Sequence, residues 1–75
     1  MIHSSAVVED GAVLGENVVV EPYAFISKKA KIGDNVIIKQ GARILGNTSI
    51  GAKSRIFSYA IVGDIPQDIS YKDGE

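Results

Sequence analysis

The stretch Ile32-Gly33-Asp34-Asn35-Val36-Ile37-Ile38-Lys39-Gln40-Gly41-Ala42-Arg43-Ile44-Leu45-Gly46-Asn47-Thr48-Ser49-Ile50 decides the fold, because Ile32, Ile38, Ile44 and Ile50 recur every six positions. A six-residue step does not match the 3.6-residue period of an α-helix, and the β-branched residues and recurring Gly and Asn point to short strands broken by turns. The same step extends backward through Ile26, Val20, Leu14, Val8 and Ile2 and forward through Ile56 and Val62, giving eleven aliphatic positions in one phase. Ile, Val and Leu make up only a little over a quarter of the chain, so an unbroken run of this kind is far beyond coincidence and marks an internal repeat. Four residues after each aliphatic comes a small or β-branched side chain: Ala6, Ala12, Val18, Ala24, Ala30, Val36, Ala42, Thr48, Ser54 and Ala60.

Three such hexads close one triangular coil of eighteen residues, which predicts an all-β parallel β-helix of about four coils. Ile2, Val20, Ile38 and Ile56 then stack in one column, Val8, Ile26, Ile44 and Val62 in a second, and Leu14, Ile32 and Ile50 in a third. Parallel strands lie about 4.8 Å apart, so each column is a continuous aliphatic ladder. The corners share the spacing: Leu14-Gly15-Glu16-Asn17, Ile32-Gly33-Asp34-Asn35 and Ile50-Gly51-Ala52-Lys53 fall at one vertex. Gly and Asn tolerate φ > 0 at low cost, which a tight repeated turn is expected to demand. Glycines eighteen residues apart have nothing in common with a phosphate-binding loop or a dinucleotide fingerprint. Handedness does not follow from these patterns, and the general preference of parallel crossovers is right-handed.

The sequence has 75 residues and no Cys, and its eight Lys or Arg against nine Asp or Glu leave a formal charge of −1. No global field draws such a chain to nucleic acid or to an anionic membrane. No apolar run approaches the length that spans a bilayer and no signal peptide opens the chain, so a cytoplasmic protein without stable membrane insertion is expected. Asn47-Thr48-Ser49 matches a glycosylation acceptor only by chance in that setting. No His, Cys and carboxylate cluster has metal-ligand spacing, so neither a metal nor another cofactor is expected. His3, the lone imidazole, reads as a surface residue at the first hexad, far along the stack from the other end.

A core this small rarely supplies more than about 3–5 kcal/mol unaided. Outward positions suggest where support comes from. Val7, Phe25 and Ile61 share one outward column interrupted by Arg43, and Val19 and Ile37 begin another that ends in Arg55. Contiguous exposed apolar surface marks an interface, which predicts cyclic self-association involving Phe25, Ile37 and Ile61. Lys28, Lys29 and Lys31, with Lys39, Arg43, Lys53 and Arg55, form a basic group in sequence, read as a solvated corner or, alternatively, as a surface that steers an acidic carrier protein.

After Val62 the next inward position is Asp68, and Pro66 occupies the preceding small-residue slot. A carboxylate unpaired in the aliphatic column would cost several kcal/mol, and Pro lacks the N–H that a ladder needs. The chain is therefore divided into coils over 1–63 and a loop leaving the coil over 64–75, with Gln67, Asp68 and Tyr71 as groups able to hydrogen-bond a polar ligand. The alternative is a frayed end with no binding role.

The hexads, together with Ile56-Phe57-Ser58-Tyr59-Ala60-Ile61-Val62-Gly63-Asp64-Ile65-Pro66-Gln67-Asp68-Ile69-Ser70-Tyr71, resemble the stretch that ends the first regular coils of the UDP-N-acetylglucosamine O-acyltransferases. The resemblance covers the whole chain but only about the first third of a family member, so later coils and a helical domain are expected to be absent. It implies a left-handed coil, a homotrimer with sites between subunits, and transfer of an R-3-hydroxyacyl group from acyl carrier protein to the 3-position of a UDP-sugar in lipid A biosynthesis. It also implies a histidine general base lying beyond Glu75, which leaves no catalytic residue in this chain, and backbone N–H groups at the oxyanion. By the same resemblance Asp68 contacts the acceptor sugar, with Gln67 as its polar neighbour, while Ser70 stands where some members carry a basic residue. A purely structural β-helix module and another hexapeptide-repeat acyltransferase are the alternatives.

Overall fold

Two extended residues followed by a tight turn make a strand too short to stand alone, and this chain repeats that unit until the pieces can only be satisfied by stacking. The computed structural model describes residues 1–63. Its strands are β1 (Val7–Val8), β2 (Val13–Leu14), β3 (Val19–Val20), β4 (Phe25–Ile26), β5 (Lys31–Ile32), β6 (Ile37–Ile38), β7 (Arg43–Leu45), β8 (Ser49–Ile50), β9 (Arg55–Ile56) and β10 (Ile61–Gly63). They build three parallel sheets, ordered β1-β4-β7-β10, β2-β5-β8 and β3-β6-β9. Every third strand is therefore a neighbour in the ladder, as a triangular coil requires.

The register is eighteen residues throughout: Val8 pairs with Ile26, Ile26 with Ile44 and Ile44 with Val62. Ile2 precedes these strands as a parallel bridge to Val20. Nine strands make three full turns and β10 opens a fourth, which realises the expected solenoid. Main-chain bonds between rungs, such as Phe25 N to Ala42 O and Ser27 N to Ile44 O at 2.9 Å each, satisfy the backbone that short strands cannot satisfy internally.

The interior is lined by fully enclosed Ile26, Ile38 and Ile44, packed against Ala24, Ala30, Val36 and Ala42, none more than 1% exposed. Burying a side chain of this size contributes roughly 1.5–3 kcal/mol. Both predicted inward classes point inward in the central coils. Toward the ends Val8, Leu14, Ile50, Ile56 and Val62 are only partly buried, and Ile2 is 47% exposed because no earlier rung covers it.

The corners divide the roles of Gly and Asn, which the sequence leaves together. Positive φ at the shared vertex falls on Asn17 (58°), Asn35 (59°) and Lys53 (65°), and not on Gly15, Gly33 or Gly51. Gly15 and Gly33 are needed for space instead, whereas a Cβ on Gly51 would meet nothing closer than Ser54 Oγ at 3.9 Å. A Cβ on Gly15 would lie 2.7 Å from Asp34 N, and one on Gly33 would lie 2.7 Å from Ala52 N in the next turn. Stacked turns are tied to each other by Asn35 N to Glu16 O and Lys53 N to Asp34 O, both 2.8 Å. Carboxylates add further ties: Lys28 N donates to Glu9 Oε1 (3.0 Å), Gln40 N to Glu21 Oε1 (3.1 Å) and Glu16 N to Asp34 Oδ1 (2.8 Å).

Two substitutions at this one vertex are thus expected to act in opposite directions. Gly33→Ala should destabilise by about 1–3 kcal/mol through overpacking against backbone. Lys53→Gly should stabilise by roughly 0.5–1 kcal/mol, the left-handed cost of a side chain less the extra entropy of Gly. Urea denaturation of both variants checks the pair, and a destabilised Lys53→Gly would contradict the assignment.

Candidate functional site

Gln67, Asp68 and Tyr71, the residues expected to contact an acceptor, lie outside the described residues, as does the whole proposed loop 64–75. The structure does describe the coils that precede these residues in sequence, and their outer surfaces. β10 ends at Gly63 with φ 126°, directly above Leu45 in the register. The corner beneath is irregular. In the two earlier turns at this vertex the main chain closes the corner, Ala12 N bonding Glu9 O (3.2 Å) and Ala30 N bonding Ser27 O (3.0 Å). In the third, the Thr48 hydroxyl donates to Leu45 O at 2.6 Å, and Gly46 takes a left-handed φ of 66°. The sequence places Thr48 only among the small inward residues, and Gly63 is the first glycine in a column that otherwise reads Glu9, Ser27 and Leu45.

The outward apolar columns stand where the hexad phase puts them. Val7, Phe25, Arg43 and Ile61 align on one sheet, with Val7 and Ile61 more than half exposed and Phe25 half-buried. The Arg43 guanidinium carbon sits 5.2 Å from the centre of the Phe25 ring, so the charge that interrupts the column lies over the aromatic. Val19 and Ile37 are half-buried on a second sheet, with Arg55 exposed above them. At the corner that feeds β4, β7 and β10, Tyr23, Phe57 and Tyr59 are exposed. Tyr59 also ties two turns together: its hydroxyl accepts from Gln40 Nε2 at 3.1 Å, and its ring covers Gly41, where a Cβ would strike the ring.

The basic residues do not form one patch. Lys28 and Lys29 occupy one corner, Lys53 another, Lys31, Arg43 and Arg55 lie on three different sheets, and Lys39 faces Glu21 at 3.8 Å. His3 is exposed on the first rung, as expected. Its Nδ1 takes the Ser5 main-chain N–H (3.1 Å) and lies 2.9 Å from Ser5 Oγ, which in turn accepts from Tyr23 N (3.1 Å). The imidazole is thus part of a turn. Among the described residues no surface pocket forms, no group of three His, Cys, Asp or Glu could hold a metal, and no helix is long and apolar enough to cross a membrane.

Comparison with known proteins bears on this arrangement directly. No family model matches the chain. A UDP-N-acetylglucosamine acyltransferase structure from Campylobacter jejuni superposes with a TM-score of 0.88 at 72% identity, covering 96% of this chain and 29% of its own. In sequence and in fold, the chain matches part of the UDP-N-acetylglucosamine O-acyltransferases. The acyl-[acyl-carrier-protein]–UDP-N-acetylglucosamine O-acyltransferase of Campylobacter concisus is 68% identical over 72 residues, 96% of this chain. The Arabidopsis UDP-N-acetylglucosamine acyltransferase structure superposes with a TM-score of 0.84 at 38% identity over 85% of this chain. Superposition preserves handedness, so the chain shares the left-handed winding of these UDP-N-acetylglucosamine O-acyltransferases, against the general preference for right-handed crossovers. The chain spans a little over a quarter of the length of the curated relatives it matches, 28% of the Campylobacter concisus protein.

The site geometry predicts that His3→Ala is nearly silent. Its bonds are local and exposed, so stability should move by less than about 0.5 kcal/mol, readable as an unchanged urea midpoint.

Proposed function

We propose that this chain forms the N-terminal coils of an enzyme that moves an R-3-hydroxyacyl group from acyl carrier protein to the 3-position of UDP-N-acetylglucosamine or its 3-amino analogue. This is the first step of lipid A biosynthesis. The observation that carries the reading is the extent of the match: one Campylobacter relative is 72% identical over 74 residues, 99% of this chain, so the matched span runs through Gln67, Asp68 and Tyr71. Similarity confined to the hexads would speak only for the coil. The hexad phase ends at Val62, and Asp68 stands at the next position in that phase.

In this reading the acceptor oxygen or nitrogen attacks the thioester carbonyl, its proton passes to a histidine outside this chain, and the carrier thiolate leaves. Asp68 supplies a carboxylate that accepts hydrogen bonds from the sugar, while the Gln67 amide and the Tyr71 hydroxyl can both donate and accept. The outward apolar strip supports a homotrimer in which neighbouring subunits complete each site. A cytoplasmic enzyme, with neither metal nor other cofactor, belongs to the same reading.

The test is transfer by the full-length chain, with R-3-hydroxyacyl carrier protein and UDP-N-acetylglucosamine as substrates. Asp68→Ala should raise the acceptor KM by at least about tenfold, the effect of losing a charge-assisted hydrogen bond worth roughly 1.5–3 kcal/mol. An unchanged KM would remove Asp68 from the site. The 75-residue chain alone should show no turnover above background. Phe25→Asp should shift the full-length protein from trimer toward monomer in sedimentation, and retention of the trimer would move the interface off this face.

A further inference from the structure

We infer that each contact between neighbouring subunits holds a phosphate-bearing anion between Arg43 of one copy and Arg55 of the next. The site rests on the cyclic assembly proposed above, and adds to it a ligand that neither copy could hold alone.

Charge is segregated along the stack. Residues 1–27 carry Glu9, Asp10, Glu16 and Glu21 and no Lys or Arg, whereas no carboxylate occurs between Asp34 and Gly63. Asp34 itself accepts from Glu16 N at 2.8 Å, and among the described residues the one ion pair joins Lys39 to Glu21. Arg43 and Arg55 are both exposed, and neither has a carboxylate partner among those residues.

Placement sets these two apart from the other bases. Two of the three sheets present apolar outward columns, Val7-Phe25-Arg43-Ile61 and Val19-Ile37-Arg55, and the only charge in each is an arginine. The third sheet presents Val13, Lys31 and Ser49. Exposed Tyr23, Phe57 and Tyr59 line the vertex where the two apolar sheets meet. A subunit in a closed ring meets its two neighbours through two different surfaces, and these sheets supply them. Columns running the length of the stack face one another in full when the symmetry axis lies along it, and rotation about that axis leaves each residue at its own height. Arg55 follows Arg43 by two sides of the triangle, which raises it by only about 3 Å. The two guanidinium groups therefore meet at nearly one level, where no copy offers a carboxylate. Enclosed without a counter-charge they would oppose assembly, and an anion between them removes the repulsion. A planar guanidinium matches phosphate oxygens two at a time, and the Phe25 ring, 5.2 Å away, keeps the Arg43 group close to its own sheet.

Inorganic pyrophosphate is the probe, and the full-length chain is the sample. Millimolar pyrophosphate should raise the thermal midpoint of the trimer by at least about 3 °C over sodium chloride at the same ionic strength. Arg43→Gln and Arg55→Gln should each abolish that gain, whereas Lys31→Gln, on the third sheet, should keep it. Refolding the two arginine variants together gives a readout that only a shared site can move. Every mixed ring contains one contact in which an intact Arg43 meets an intact Arg55, so calorimetry should recover pyrophosphate binding that neither variant shows by itself. Displacement of pyrophosphate by excess UDP-N-acetylglucosamine would identify the anion as the acceptor's diphosphate, and no displacement would identify it as a free phosphate compound; both results uphold the site. A trimer whose midpoint follows ionic strength alone, a gain that survives in both arginine variants, or mixed rings that bind nothing would overturn the inference. A full-length protein that sediments as a monomer would instead sink the assembly on which the site rests. Should either Gln variant fail to fold, Arg43→Lys and Arg55→Lys keep the charge and lose the fork; each should retain less than about half of the gain, and a full gain in both decides against the site.

Discussion

One constraint organises this molecule: a strand of two residues cannot satisfy its backbone or bury its side chain unless an equivalent strand lies eighteen residues away on either side. The register Val8, Ile26, Ile44, Val62 supplies both partners at once. Main-chain bonds run along the stack, and the aliphatic side chains of successive rungs touch inside it. Stability is then nearest-neighbour in character, as in other solenoids, where each repeat leans only on the next. The gradient in burial follows, from wholly enclosed Ile26, Ile38 and Ile44 in the middle to Ile2, which lacks an outer neighbour.

Such a column commits every other position in the hexad. The corner residue that must approach the next turn loses its side chain, which explains Gly15 and Gly33. The residue that must reverse the chain takes positive φ, which explains Asn17 and Asn35 and puts Lys53 in a costly conformation. Exposed turns are tied by Glu9, Glu21 and Asp34, whose carboxylates accept the N–H groups that neighbouring turns leave over. Outward positions are the only ones free of the coil's demands, and several carry Val, Phe or Ile there. Residues that folding does not require in place are open to other uses, and the outward strip is made of such positions.

Function enters where the repeat is broken. The irregular corner of Gly46 and Thr48 and the left-handed Gly63 stand at the end of the described coils. Close similarity to UDP-N-acetylglucosamine O-acyltransferases spans that break as well as the coils.

By itself the sequence determined the period, the three columns, the inward residues and the outward apolar strip, because a hexad phase in a parallel stack leaves each residue only one direction to point. Ile26 and Ile44 are vertical neighbours for that reason, as are Phe25 and Arg43. Tertiary structure alone decided the division of labour at the corners and the scatter of the basic residues over several faces. It also decided that Gly63 rests on Leu45 and Thr48. The physical reason is that a glycine written in a sequence does not say whether it serves φ or space. That distinction depends on what lies one rung away, a contact between residues eighteen apart whose exact closeness no local pattern encodes.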